Sequence, residues 1–180
     1  MTSSNIQQIL TGAAMAPTGE VIKEEVIVTK EVSVDNLIFG MVELASYLYH
    51  LNIQANLLSL NLESPYSLEM SEFLKEQYKR HLCDFNSMAE KVRSMDYLLP
   101  MCEKGLMGAF KNFKNVKSYD SRESLVTYVR NLEDCGFKAK DLYDTAREVG
   151  APDVEMAMAS IIGNLFGTAG KIKATLRQSA

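Results

Sequence analysis

From Ser33 onward, apolar residues recur at alternating spacings of four and three, the pattern of a helix with one buried face. The first such stripe is Leu37, Met41, Leu44, Leu48, Leu51, Ala55 and Leu58. A break over residues 61–65 precedes a second helix, which Ser64 can cap and Pro65 can enter as its first turn. Its apolar positions are Met70, Leu74, Leu82, Phe85, Ala89 and Val92. Pro100, Gly105 and Gly108 then mark a long connection. Asp120 with Glu123 forms a capping pattern ahead of Leu125, Val129, Leu132, Ala139, Leu142 and Ala146, and Gly150 followed by Pro152 gives a stop and a restart. The last stripe is Val154, Met158, Ile161, Leu165, Ala169, Ile172 and Leu176. Gly163 and Gly167 on this helix either admit a second helix at close range or are simply tolerated there.

Short breaks join the first helix to the second and the third to the fourth, while roughly 25 residues separate the second from the third. That connectivity predicts an all-α, ferritin-like four-helix bundle with one long crossover, spanning 33–180. Residues 1–32 read differently. Gly12, Pro17 and Gly19 punctuate a polar start, and short β-branched runs follow among charges from Val21. The stretch is too short for a core of its own, so the expectation is an arm, extended or disordered, that pairs with a neighbour or contacts a protein partner.

Composition narrows the function. A chain of 180 residues with 47% hydrophobic content is long enough to bury a core without disulfides or metal. The net charge of −4 argues against a basic nucleic-acid coat. The arm reinforces this, because Lys23 and Lys30 face Glu20, Glu24, Glu25 and Glu31. Nucleic-acid binding is therefore expected to be weak or absent. Cys83, Cys102 and Cys135 are odd in number and widely spaced, which indicates neither a disulfide framework nor a zinc site. No apolar run is long enough for a bilayer and no signal-peptide layout opens the chain, so the expected location is cytoplasmic, with no membrane partner. No phosphate loop or nucleophilic triad occurs.

The segment from Ser59 to Arg93 resembles the Dps family of mini-ferritins. The matching elements are Asn61, Pro65, the runs Glu72-Phe73-Leu74 and Glu76-Gln77-Tyr78, and Met88-Ala89-Glu90-Lys91, with Pro100 where that family has a proline after its second helix. The resemblance implies a homo-oligomer, a dodecameric shell built from two-fold dimers, with roles in iron storage and stress protection. It also implies an iron-oxidising site made by two histidines, an aspartate and a glutamate, shared across the dimer. Here those places hold Ser59, Ser71, Asn86 and Glu90, so only the glutamate remains as a metal ligand and the expected cofactor is none, or iron bound weakly. The resemblance thus points to a shell protein with ferroxidase activity lost or reduced and no catalytic residue. Glu90 is expected to pair along the helix with Arg93 or Ser94.

Two alternatives come from the residues themselves. A relocated metal site would draw on His50, Glu69, Glu72, Glu76 and His81, though no Glu-x-x-His spacing supports it, and an active mini-ferritin with such an unusual site is the second reading. A third reading, a subunit recruited into another assembly such as a virus particle, is motivated by the arm and the missing ligands. Lys104, Lys111, Lys114 and Lys117, interleaved with Phe110 and Phe113, read as a short amphipathic helix at a subunit contact, with a nucleic-acid surface as the alternative.

Overall fold

The computed structural model describes residues 33–63 and 67–178. They form five helices: α1 Val34–Asn61, α2 Ser67–Ser94, α3 Glu103–Ala109, α4 Ser121–Glu148 and α5 Pro152–Gln178. No strand occurs among the described residues. The expected arm and the Ser64–Pro65 helix start lie outside them.

Local chemistry sets the helix ends. The Ser33 hydroxyl accepts from the Asn36 N–H at 3.2 Å, and the Asp120 carboxylate accepts from the Glu123 N–H at 2.7 Å, each satisfying an orphan donor of a first turn. At the end of α4 the Ala151 N–H reaches the Ala146 carbonyl at 2.8 Å and the Gly150 N–H reaches that of Arg147 at 3.3 Å. This pair of bonds needs a left-handed residue between them, and Gly150 supplies it with φ of 75°. Pro152 then opens α5, where a missing N–H costs nothing.

Hydrogen bonds between helices fix the topology. The side chain of Asn52 on α1 donates to the Tyr78 carbonyl on α2 at 2.7 Å, and the end of α1 is tied to the start of α4 where Ser121 meets both backbone polar groups of Glu63 at 3.0 Å. On the other side, the Thr168 hydroxyl of α5 donates to Gln77 of α2 at 2.8 Å, and Lys91 meets Asp153 at 2.8 Å. Both pairings run antiparallel. The bundle is therefore two helical hairpins, α1–α2 and α4–α5, joined by the crossover in an up-down-down-up order, the ferritin-like arrangement.

The predicted stripes of α1, α4 and α5 line the core, with Leu176 half-buried at its edge. On α2 the expected Met70, Leu74 and Val92 line the core, but the middle of the inner stripe differs from the expected one. Met70, Leu74, Gln77, His81, Met88 and Val92 face inward, whereas Leu82, Phe85 and Ala89 are only half-buried. Two polar residues occupy inner positions, so a search for apolar spacing lands on the neighbouring flank. Gly163 and Gly167 have open space where a Cβ would sit, and close helix contact instead falls at Gly40 against Leu142 and Gly136 against Phe166.

The crossover corrects another expectation. Helix α3 ends at Ala109, so Phe110, Lys111, Phe113, Lys114 and Lys117 lie on non-helical chain. Both phenylalanines turn inward within the same chain. Phe110 stacks on Tyr47 with ring centroids 4.2 Å apart, and Phe113 stacks on His50 at 4.5 Å. Lys114 pairs with Asp134 of α4 at 2.8 Å, an exposed contact of small energetic weight.

Candidate functional site

Ser59 ends the buried stretch of α1 and Ser71 lies near the start of α2, and the hairpin brings them together. The Ser71 hydroxyl donates to the Ser59 carbonyl, while the Ser59 hydroxyl donates to the carbonyl of Asn56 at 2.7 Å. Both hydroxyls are thus committed to backbone. Asn86 and Glu90 sit exposed on α2, one turn apart. Ser71 and Asn86 are fifteen residues apart, about 22 Å along the axis and within about 60° around it, so they mark the two ends of one side of α2. The partners expected for Glu90 bond elsewhere: the Arg93 guanidinium donates to the Tyr97 carbonyl at 3.1 Å, and the Ser94 hydroxyl to that of Lys91 at 2.7 Å. Two neutral hydroxyls, an amide and a single carboxylate do not fit ferrous iron, which calls for imidazole and carboxylate donors.

The relocated set does not converge either. Glu69, Glu72 and Glu76 point to solvent on α2. The His50 ring bonds to the Met107 carbonyl at 3.1 Å and lines a cavity of about 320 Å³ with Gln54, Leu57, Phe113 and Lys117. Burial lowers its pKa, opposed by that carbonyl. His81 lies deep in the bundle. Among the described residues no group of three His, Cys, Asp or Glu side chains is placed to hold a metal ion.

Around His81 the interior holds a polar cluster that apolar spacing did not reveal. His81 is 2% exposed, and its Nε2 shares a 2.7 Å hydrogen bond with the hydroxyl of Tyr128, buried on α4. One turn along α2, Asn164 of α5 accepts from the Arg80 guanidinium at 2.9 Å, and both side chains act on the Asp84 carboxylate. His81 Nδ1 and Asp84 Oδ2 are both buried and have no protein partner. Desolvation pulls the His81 pKa down to about 3, so the ring is neutral at physiological pH. Desolvation also pushes Asp84 up to about 6, with Arg80 and Asn164 pulling the other way. The available signal was the His81-x-x-Asp84 spacing, which puts both side chains on one side of α2.

The Asp84 shift has a definite sign. A carboxyl whose folded pKa of about 6 exceeds its ordinary 3.8 favours folding below the lower value, and that advantage is lost as pH rises through the upper one. Asp84→Asn therefore stabilises the chain in EDTA-containing buffer near pH 8 by about 1 kcal/mol, discounted for its partial exposure, and the difference closes near pH 4. Urea unfolding of both proteins at the two pH values checks this.

No family model matches the sequence, and no characterised protein matches it by sequence comparison. Solved structures do match. A Dps protein from Vibrio cholerae O1 aligns with a TM-score of 0.73 at 16% identity, over 79% of this chain and 89% of that one. An archaeal Dps homologue from Halobacterium salinarum aligns at 0.74 and 17% identity, over 79% of each chain. A dodecameric thioferritin from Bacteroides fragilis aligns at 0.76 and 11% identity, over 82% of this chain and 88% of that one. The fold is thus that of the ferritin-like helical bundles. It is the fold shared by the Dps proteins and the thioferritin that align with the chain.

Proposed function

We propose that this chain is a subunit of a closed Dps-type homo-oligomeric shell, a dodecamer built from two-fold dimers, in which ferroxidase activity is lost or much reduced. Its role is then structural, protective or iron-storing, in the cytoplasm, with weak or no DNA binding, and residues 1–32 act as an arm that contacts a neighbour. Assembly is supported by the character of α1, which carries only Asp35 and Glu43 as charged residues besides His50 over 28 positions. Such a helix has more apolar surface than one bundle core covers, and Phe39, Leu57 and Leu60 are left 67%, 54% and 69% exposed. A second copy packed on this side removes them from water.

The reduced activity is supported by the donor chemistry at Ser59, Ser71 and Asn86. An antiparallel copy of α2 would bring the Ser71 end of one chain to the Asn86 end of the other, yet the joined set would still hold one carboxylate per site, Glu90. Mass measurement of the purified protein tests the shell: about twelve chains are expected by two-fold dimer assembly into a closed point group. A monomer or dimer would favour the reading as a subunit recruited into another assembly. On the same sample Asn86→Ala leaves Fe²⁺ oxidation nearly unchanged, and a large loss would show that iron is oxidised at this place after all.

A further inference from the structure

Burying a polar atom without a partner costs about 1–3 kcal/mol, and nearly every such atom in a folded protein has one. Here two buried, unpartnered atoms stand one helical turn apart on α2, His81 Nδ1 and Asp84 Oδ2. His81 is already fixed in orientation through its other end, where Nε2 meets Tyr128, and Asp84 stands beside Arg80 and Asn164, which are bonded to each other. A ring nitrogen aimed by a hydrogen bond on the opposite nitrogen, beside a carboxylate, is the arrangement by which proteins present metal ligands. Residues three apart on a helix project from one side within reach of a common ion.

We propose that His81 and Asp84 together bind one divalent first-row transition cation inside each bundle, through His81 Nδ1 and Asp84 Oδ2. Imidazole with carboxylate selects ions of this class over calcium or magnesium, which take oxygen ligands. In the bound state His81 Nε2–H donates to the Tyr128 oxygen, leaving the Nδ1 lone pair for the ion. Since no third donor of the described chain joins the pair, water completes the coordination, entering beside half-buried Asp84. Cys135 is buried on α4 near enough to Asp84 to feel its charge, but it does not join His81 and Asp84 as a third donor. The site is separate from the Ser59, Ser71, Asn86 and Glu90 set and does not depend on assembly.

The test is titration of the full-length, EDTA-stripped protein with Co²⁺, followed by calorimetry and visible absorption. The expected result is one ion per chain, with ligand-field bands and no thiolate charge-transfer band. Asp84→Asn and His81→Gln each weaken binding by more than roughly tenfold, while Glu90→Gln leaves it unchanged. Asp84→Asn is the safer variant, because it keeps the side-chain shape and removes a buried charge. The proposal is overturned by absence of binding in the wild type, by binding that survives Asp84→Asn with circular dichroism unchanged, by a thiolate band, or by loss of the ion in Glu90→Gln.

Discussion

Asn131→Ala lowers the stability of the folded chain by about 3 kcal/mol, although the residue touches no candidate site. Asn131 is fully buried on α4, facing the crossover where it passes at Lys114. Its side-chain oxygen accepts from the Lys114 N–H at 3.3 Å, and its amide donates to the Lys114 carbonyl at 2.7 Å and to Gln54 at 3.0 Å. Gln54 in turn donates to the same carbonyl at 3.3 Å. The amide of Asn131 thus does for one crossover residue what a neighbouring strand would do, supplying both a donor and an acceptor. Truncation leaves the Lys114 N–H and the Gln54 oxygen without these partners, at about 1–3 kcal/mol each. The nearby stacking of Phe113 on His50 depends on the same path of chain. Lys114→Ala is the contrast, since it removes only an exposed ion pair and costs less than about 1 kcal/mol. Urea unfolding of the two variants separates the cases. Equal losses would mean that the crossover is not held at this point.

That clamp shows where sequence reading stops. The stripes of α1, α4 and α5, the Asp120 cap and the Gly150 stop were legible because each depends on residues close in sequence whose periodicity or backbone preference is decisive. The crossover was not legible. Its course is set by Asn131 and Gln54, 17 and 60 residues from Lys114, and isolated amides on a helix look like solvated polar positions until the fold brings the chain to them. The same limit applies to α2, where Gln77 and His81 hold inner positions because Thr168 and Tyr128 wait for them across the bundle. Of the candidate site, the meeting of Ser59 with Ser71 follows from a short helical hairpin. The orphaned atoms of His81 and Asp84 do not follow from any local pattern, because they are defined by what the other helices fail to provide.

Joint replacement Ser59→His, Ser71→His and Asn86→Asp is expected to create an iron-oxidising site at positions where the natural chain offers a single carboxylate. With Glu90 retained, the variant presents two imidazoles and two carboxylates, the donor types that hold ferrous iron. The hairpin places positions 59 and 71 side by side, as the bond between them demonstrates, while positions 86 and 90 lie one turn apart at the far end of the same helix. Only a second, antiparallel copy unites the two halves, so the gained activity should rise with dimer or shell formation and vanish in any dissociated fraction. The metal-free variant should be less stable than the parent. Ser59 is only 5% exposed, and an imidazole there must be desolvated without the short backbone bond the hydroxyl makes to Asn56. Ferrous iron offsets that cost by binding the folded assembly alone. Stopped-flow absorbance of ferric product on size-fractionated protein reads the rate, and thermal unfolding with and without Fe²⁺ reads the coupling. Because the interior pair is a separate set of ligands, the experiment is repeated with Asp84→Asn added, which should leave the new oxidation rate intact. An intact shell that remains inactive would show that the two halves do not meet across the dimer and that the Dps register assigned to α2 is wrong.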